Sequence, residues 1–358
     1  MEEWKRALED LVMKVLVTGS DGYIGVHMTA ALRDRGHEVA GLDAGFYADG
    51  WLYGDAVALP PTRRLDLRRV TIEDVAGFDA VVHLAELSND PLGELHEAVT
   101  YRINHAGSVR LAALCREAGV GRFLYASSCS VYGVGVDEYA TEESPLNPQT
   151  AYARCKVLVE RDVGKLATDG FSPTFLRNAT AFGASPRMRF DIVLNNLAGH
   201  AWTRREIRLS SDGSPWRPLV HVRDICEAFA CALDAPREVV HNRTFNVGDT
   251  RQNYRVAEIA EIVAAAFPGC VTTFGPPSGD NRSYRVSFDR IAADLPGFEC
   301  RRTAQHGALE LHELFGRIGL SLEDFESRHY TRLKQLRHLL DSGRITSELY
   351  WVPAPQAA

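Results

Sequence analysis

Short apolar runs alternate with stretches of helical periodicity through the first half of the chain. Lys14-Val-Leu-Val-Thr18 is apolar in its centre and ends in Gly19-Ser-Asp-Gly22-Tyr-Ile-Gly25, after which a helical pattern runs through Arg35. This reads as strand, tight turn and helix. A second strand, Glu38-Val-Ala-Gly-Leu-Asp43, follows Gly36, and further strands are predicted at Ala80-Val-Val-His-Leu84, Arg122-Phe-Leu-Tyr-Ala126 and Ser172-Pro-Thr-Phe-Leu-Arg177, with helices at 94–118 and 151–169. Apolar strands alternating with helices predict an α/β architecture, a parallel sheet covered on both faces.

Past Gly183 the pattern changes. A Pro/Arg-rich loop, Ser185-Pro-Arg-Met-Arg189, precedes a helix near 191–204 and a second loop, Ser211-Asp-Gly-Ser-Pro-Trp216. A second, smaller domain is expected to begin here. The helix after Asp224 and the strand Thr244-Phe-Asn-Val247 are suited to return to the sheet, so the two domains interleave in sequence. The expected division is 13–183 with 222–250 for the sheet domain, 184–221 and 251–340 for the smaller one, and 1–12 and 341–358 as terminal extensions. Gly275-Pro-Pro-Ser-Gly-Asp280 is the clearest break in the second half, and there is no internal repeat.

Composition narrows the classes of function. Forty basic residues against 47 acidic ones give a net charge of −7 with no long run of one sign, which argues against nucleic acid and anionic membrane as partners. No stretch approaches the roughly 18 apolar residues of a membrane span, and Met1-Glu-Glu-Trp-Lys-Arg6 is too polar for a signal peptide, so a cytoplasmic protein is expected. The seven cysteines are scattered without a C-x-x-C, and the histidines show no ligand spacing. Reduced thiols and no metal follow.

The glycine turn carries the first candidate chemistry. Glycines let a backbone turn sharply and approach a pyrophosphate, while the next helix points its N-terminal dipole at the phosphates. A plain strand-to-helix turn is the alternative. Asp43, eighteen residues past Gly25 at the end of the second strand, supplies a carboxylate for both ribose hydroxyls. No arginine follows it closely in sequence, and it would repel a 2′-phosphate, which favours NAD over NADP. The second candidate is Tyr152 with Lys156. Four residues apart on a helix, they share one face, and the cation favours ionised phenol. Read alone, the pair is an acid/base device or part of a solvated face.

Taken together, the glycine turn, Asp43, Asp66-Leu67, His83-Leu-Ala85, Asn104, Ser127-Ser-Cys-Ser-Val-Tyr132-Gly133, Tyr152-x-x-x-Lys156 and Arg217-Pro-Leu-Val-His-Val-Arg-Asp224 resemble an extended short-chain dehydrogenase/reductase. Within that superfamily the chain is similar to the NAD-dependent epimerase/dehydratase group acting on nucleotide sugars. The resemblance runs from about residue 14 to about residue 300. It implies a Rossmann-type doubly wound sheet binding NAD, with the smaller domain binding substrate. Gly19, Asp21, Gly22, Tyr23, Ile24, Gly25 and Asn104 would contact the cofactor. Asp66 and Leu67 would bracket the adenine, and Leu84 and Ala85 would pass beneath. Lys156 would bond the nicotinamide ribose and lower the Tyr152 pKa, leaving Tyr152 to move a proton at a sugar hydroxyl that Ser128 also bonds. Arg217 and Arg282 would hold the diphosphate, and Asn195 and Asn196 the nucleotide. A homodimer through helices 94–118 and 151–169 is implied as well.

Departures from the family narrow the reaction. The sugar 4,6-dehydratases follow their catalytic threonine or serine with Asp-Glu, where this chain has Cys129 and Ser130; the decarboxylating enzymes keep a glutamate where Ser130 stands. Enzymes acting on GDP-keto-sugars place a cysteine acid/base at that same position, and Cys129, one residue early, reads as a packed thiol. Asn178 and Thr180 depart from the usual asparagine placement. Glu86 stands where the family has a small residue and is either an added acid/base or a side chain that turns to solvent or salt-bridges a loop. The implied enzyme is an NAD-dependent nucleotide-sugar epimerase working through a transient keto-sugar. An NAD(P)H-dependent ketoreductase or dehydrogenase is the nearest alternative, and a non-catalytic dinucleotide sensor the alternative of another class.

Overall fold

Val15, Leu16 and Val17 are apolar in succession, and the strand they form, β1 (Lys14–Thr18), is buried on both faces. That is the signature of a central parallel strand. The computed structural model describes residues 12–54, 58–88, 96–134, 138–276 and 283–353. The expected extension at 1–12 and the break at 275–280 therefore fall largely outside the described residues, as do Arg282 and the start of the helix expected at 94.

Chain order builds the sheet domain through α1 (Gly25–Asp34), β2 (Glu38–Asp43), β3 (Thr62–Arg64), β4 (Ala80–His83), α2 (Ser108–Glu117), β5 (Arg122–Ser128), α3 (Ala151–Gly164) and β6 (Ser172–Asn178). A π-helical stretch, Tyr101–Gly107, leads into α2. β5 runs two residues past the expected end, to Ser128, and α3 stops at Gly164, short of 169. Two unanticipated strands complete this region: β3 at the sheet edge and the short β7 (Thr180–Phe182).

The second half adds α4 (Val193–Arg204), β8 (Glu206–Arg208), β9 (Trp216–His221), α5 (Val222–Asp234), β10 (Arg243–Val247), β11 (Asn253–Arg255), α6 (Val256–Ala266), β12 (Val271–Thr273), α7 (Ala304–Ile318) and α8 (Arg332–Asp341). β10 pairs with β6, carrying the chain back into the main sheet. The seven strands run in the order β10-β6-β5-β4-β1-β2-β3, every pair parallel. This is a Rossmann-type α/β fold. Strand order reverses between β1 and β4, which opens a crevice at their C-terminal ends where such sheets bind ligands.

Apolar clusters cover both faces of the sheet, one around Val15, Val82, Leu124 and Phe229, the other around Leu16, Val81, Phe123 and Val163. A third cluster builds the smaller unit. There Leu194, Ile259, Val263, Leu311 and Phe315 join α4, α6 and α7 beside the three-stranded sheet β11-β9-β7. The fourth lies where the sequence carries no motif. Leu336, Leu339, Ile345 and Leu349 from the C-terminal segment pack on Phe46, Leu87 and Ile103, beside the crevice.

Candidate active site

Thr18 ends β1 and Gly19 turns the chain at φ +73°, a conformation that glycine adopts without strain. A Cβ there would stand 2.9 Å from the Ala85 nitrogen, and one on Gly25 only 2.1 Å from the Gly19 oxygen. The turn is thus closed to backbone contact with both α1 and the end of β4. It opens on a cavity lined by Gly19, Gly22, Tyr23, Ile24, Gly25, Asp43, Asp66, Leu67, Leu84 and Ala85. Asp43 sits at the end of β2, its carboxylate accepting from the N–H of Gly45 at 2.7 Å and of Asp21 at 3.1 Å. Burial pushes this carboxyl above its usual range. A backbone cradle at a helix N-terminus, a carboxylate at one end and a lysine beyond the other fit a dinucleotide.

A second cavity adjoins the first and shares Ile24, Leu84, Glu86, Ser88 and Arg189 with it. Its wall brings together Ser128, Tyr152 and Lys156, with Ser130, Asn178, Thr180 and Arg217. Thr150 caps α3 by accepting from Ala153 N–H at 3.2 Å, which places Tyr152 and Lys156 on the first two turns. The Lys156 ammonium lies 5.2 Å from the centroid of the Tyr152 ring and donates to the Ala126 carbonyl at the end of β5. Ser128 caps the short turn after β5, its Oγ accepting from Ser130 N–H at 3.2 Å. Its own hydroxyl proton is thereby left to donate toward the cavity.

Glu86 is neither turned to solvent nor bound to a loop. Its carboxylate lies 2.7 Å from the Lys156 ammonium and accepts from the Tyr125 hydroxyl at 2.5 Å, with both members of the ion pair buried. Burial pushes the carboxyl above its usual range, against the pull of Lys156 and Tyr125. Cys129 is fully buried, donates to the Arg177 carbonyl at 3.1 Å and is raised far from thiolate by that burial. It is not a proton-transfer group.

His83 ties the end of β4 to β1 and α2, its Nδ1 2.6 Å from Thr18 Oγ1 and its Nε2 2.7 Å from Ser108 Oγ. Burial, assisted by Lys156, lowers its pKa to about 3. The unfolded chain protonates His83 near its ordinary value of about 6.5 while the folded chain does not, so the unfolded state binds more protons below that pH. Stability contributed by neutral His83 is full above that value and falls by about 1.4 kcal/mol per pH unit below it. The melting midpoint is accordingly expected to drop between about pH 7 and about pH 5, as scanning calorimetry can follow; an unchanged or rising midpoint would contradict the assignment.

Several expected contacts lie elsewhere. The Asp21 side chain turns away from the cofactor cavity and pairs with Arg187 at 2.7 Å and Arg64 at 2.5 Å, so only its backbone belongs to the turn. No arginine follows Asp43 closely along the chain, but Arg64 reaches it in space: the β2–β3 register sets the two residues opposite each other, at 3.7 Å between side chains. Asn104 is fully buried and spends its amide on the N–H and carbonyl of Leu87, holding the loop that lines the cavity. Asn195 accepts from Gly183 N–H at 3.0 Å and donates to the Arg189 carbonyl at 3.1 Å, while Asn196 donates to the Phe190 carbonyl at 2.8 Å. Both brace the loop after β7, and neither lines the second cavity. Arg282 lies outside the described residues.

Two arginines on the cavity walls escaped sequence reasoning. Arg189, shared by both cavities, pairs with Asp191 at 2.8 Å, and Arg332 enters the first cavity from the start of α8. The Pro/Arg-rich loop was the available signal for Arg189; Arg332 had none. Among the described residues no group of His, Cys, Asp or Glu side chains is placed to hold a metal ion, and no helix is long and apolar enough to cross a membrane.

A sequence model of the family described as "NAD dependent epimerase/dehydratase family" matches residues 15–248. The UDP-glucose 4-epimerase of Corynebacterium glutamicum is 28% identical over 270 residues, spanning 70% of this chain and 79% of that one. Among solved structures, MoeE5 in complex with UDP-glucuronic acid and NAD superposes with a TM-score of 0.73 at 27% identity, covering 86% of this chain and all of that one. The Thermus thermophilus UDP-glucose 4-epimerase complex with NAD gives a TM-score of 0.70 at 25% identity over 85% of this chain and 99% of that one.

Proposed function

Because the chain belongs to the NAD dependent epimerase/dehydratase family, we propose that it inverts the C4 hydroxyl of a nucleoside-diphosphate sugar through a transient keto-sugar. One observation carries this reading: the sugar cavity holds Ser128, Tyr152 and Lys156 without an uncommitted acid among the described residues. The two carboxylates on that wall, Glu86 and Asp191, are each engaged by a cation, Lys156 and Arg189. Eliminating water from a sugar calls for a further acid at the departing hydroxyl. Cys129, where the dehydratases carry the first of their two acids, is buried and protonated, and Ser130 follows it.

NAD, when bound, supplies the acceptor and donor of a hydride at the sugar carbon. Tyr152 takes the proton of the C4 hydroxyl as that carbon is oxidised, and the Lys156 cation favours its phenolate. Ser128 donates to the same oxygen and steadies it while the carbonyl exists. The keto-sugar then presents its opposite face, and Tyr152 returns the proton to the oxygen as C4 is reduced. Arg217, at the far wall, brings a positive charge suited to the diphosphate.

The substrates named for the relatives make UDP-glucose the first compound to test. Incubation of UDP-glucose and a panel of other nucleotide sugars with the protein in deuterated water, followed by NMR, is expected to show C4 inversion. Deuterium should be absent from C3 and C5, and no reduced cofactor should accumulate. Wash-in at C3 or C5 would instead require enolisation by a base such as Glu86, and stoichiometric reduced cofactor would indicate a one-way dehydrogenase; either result defeats the proposal.

A further inference from the structure

The fourth apolar cluster gives the C-terminal segment a place in the cofactor site. Residues 328–351 cross over the loop that follows β2, where Gln335 donates to the Phe46 carbonyl at 2.9 Å and Trp351 to the Ala44 carbonyl at 2.6 Å. Arg68, beside the adenine wall, donates to the Glu348 carbonyl at 2.7 Å and stacks 3.6 Å from the Tyr350 ring centroid. The segment is thus tied to both walls of the adenosine end of the cavity. Its first residues divide their side chains: Thr331 and Leu333 line the sugar cavity, Arg332 the cofactor cavity.

Arg332 is 3% exposed. Its backbone N–H donates to Asp191 at 3.1 Å, and its guanidinium lies over Tyr47, 4.1 Å from the ring centroid. Among the described residues no carboxylate or carbonyl accepts from that guanidinium. A buried cation without an acceptor is costly, and here Arg189 stands near enough to add repulsion. Burial and then Arg189 lower the Arg332 pKa to about 10. Tyr47, Asp191 and Asp43 offset this in part, but none of them accepts a hydrogen bond from the guanidinium, which leaves its donors to the cavity.

We propose that Arg332 is a cofactor-binding residue whose guanidinium donates to the pyrophosphate of NAD, and that residues 328–351 form a strap over the dinucleotide. The pyrophosphate is the anion that NAD carries, and the glycine turn that lines the same cavity is shaped to meet it. The substrate diphosphate belongs to the neighbouring cavity, which Arg332 does not line. Because Thr331 and Leu333 flank it, the same contact fixes part of the sugar cavity wall. The inference rests on NAD as the cofactor and is independent of which sugar carbon reacts.

The test compares wild type with Arg332→Gln, Arg332→Lys and, as a control on the exposed face of the same helix, Arg337→Gln. NAD retained through dialysis and Kd for NAD by calorimetry are measured on each. Loss of a charge-assisted bond to phosphate predicts a Kd about tenfold or more higher in Arg332→Gln, an intermediate value in Arg332→Lys and no change in Arg337→Gln. Hydrogen exchange on the wild-type chain gives a readout independent of any variant's folding: NAD should slow exchange across 328–351. A Kd within twofold of wild type in Arg332→Gln, a loss of UDP-glucose affinity without a loss of NAD affinity, or exchange in 328–351 indifferent to NAD would each overturn the assignment.

Discussion

Tyr152→Phe is expected to lower kcat by about a thousandfold while leaving NAD binding and the melting midpoint close to wild type. The substitution removes one oxygen from a ring on the first turn of α3 and leaves the capping by Thr150 untouched. In the proposed mechanism it takes away the group that receives the C4 proton, and with it the coupling of oxidation to deprotonation. Ser128 cannot replace it, because a hydroxyl without a neighbouring base is a weak proton acceptor at neutral pH. Steady-state turnover of a sugar that wild type inverts is the measurement, and a kcat within tenfold of wild type would remove Tyr152 from the mechanism.

Lys156→Met is expected to cost both activity and stability, for separable reasons. Activity falls because the Tyr152 phenolate loses its cation, on the order of a hundredfold. Stability falls because Glu86 is left as a buried carboxylate with its charge partner gone, a change that costs about 3 kcal/mol in comparable buried pairs. The two losses part in the double variant Lys156→Met/Glu86→Gln. Replacing the orphaned carboxylate by an amide should restore most of the stability and none of the turnover. The pH dependence carries a sign as well. With Lys156 removed, the folded state holds a proton on Glu86 to higher pH than the unfolded state, so it binds more protons and the deficit shrinks as pH is lowered. Denaturant titrations of the three proteins across pH check this; equal stability of Lys156→Met and wild type at neutral pH would show that the pair contributes nothing.

The residues readable in the sequence share a physical property: their partners are close along the chain. The glycine turn follows its strand directly, Tyr152 and Lys156 are one helical turn apart, and Ser128 and Cys129 sit at the end of a strand whose apolar run is plain. Asp43 is legible because a βαβ unit sets its distance from the turn. Contacts made by topology were not legible. Glu86 meets Lys156 and Tyr125 because β4, β5 and α3 are neighbours in the sheet layer, and no local pattern records that. Arg64 reaches Asp43 through strand register, and Asp21 is drawn off the cofactor by Arg187, far along the chain. Asn195 and Asn196 occupy a helix start where the family resemblance implies nucleotide contact, yet the loop after β7 needs their amides for its own backbone. Arg332 lies on a segment whose apolar spacing shows a helix but not the surface it covers.

Hydride return to the carbon that lost it is the centre of this account, and UDP-glucose carrying deuterium at C4 tests it most directly. Incubated with the enzyme and its bound NAD in ordinary water, the C4-inverted product is predicted to keep deuterium at C4. Loss of the label to solvent, or its appearance in released reduced cofactor in proportion to product, would contradict it.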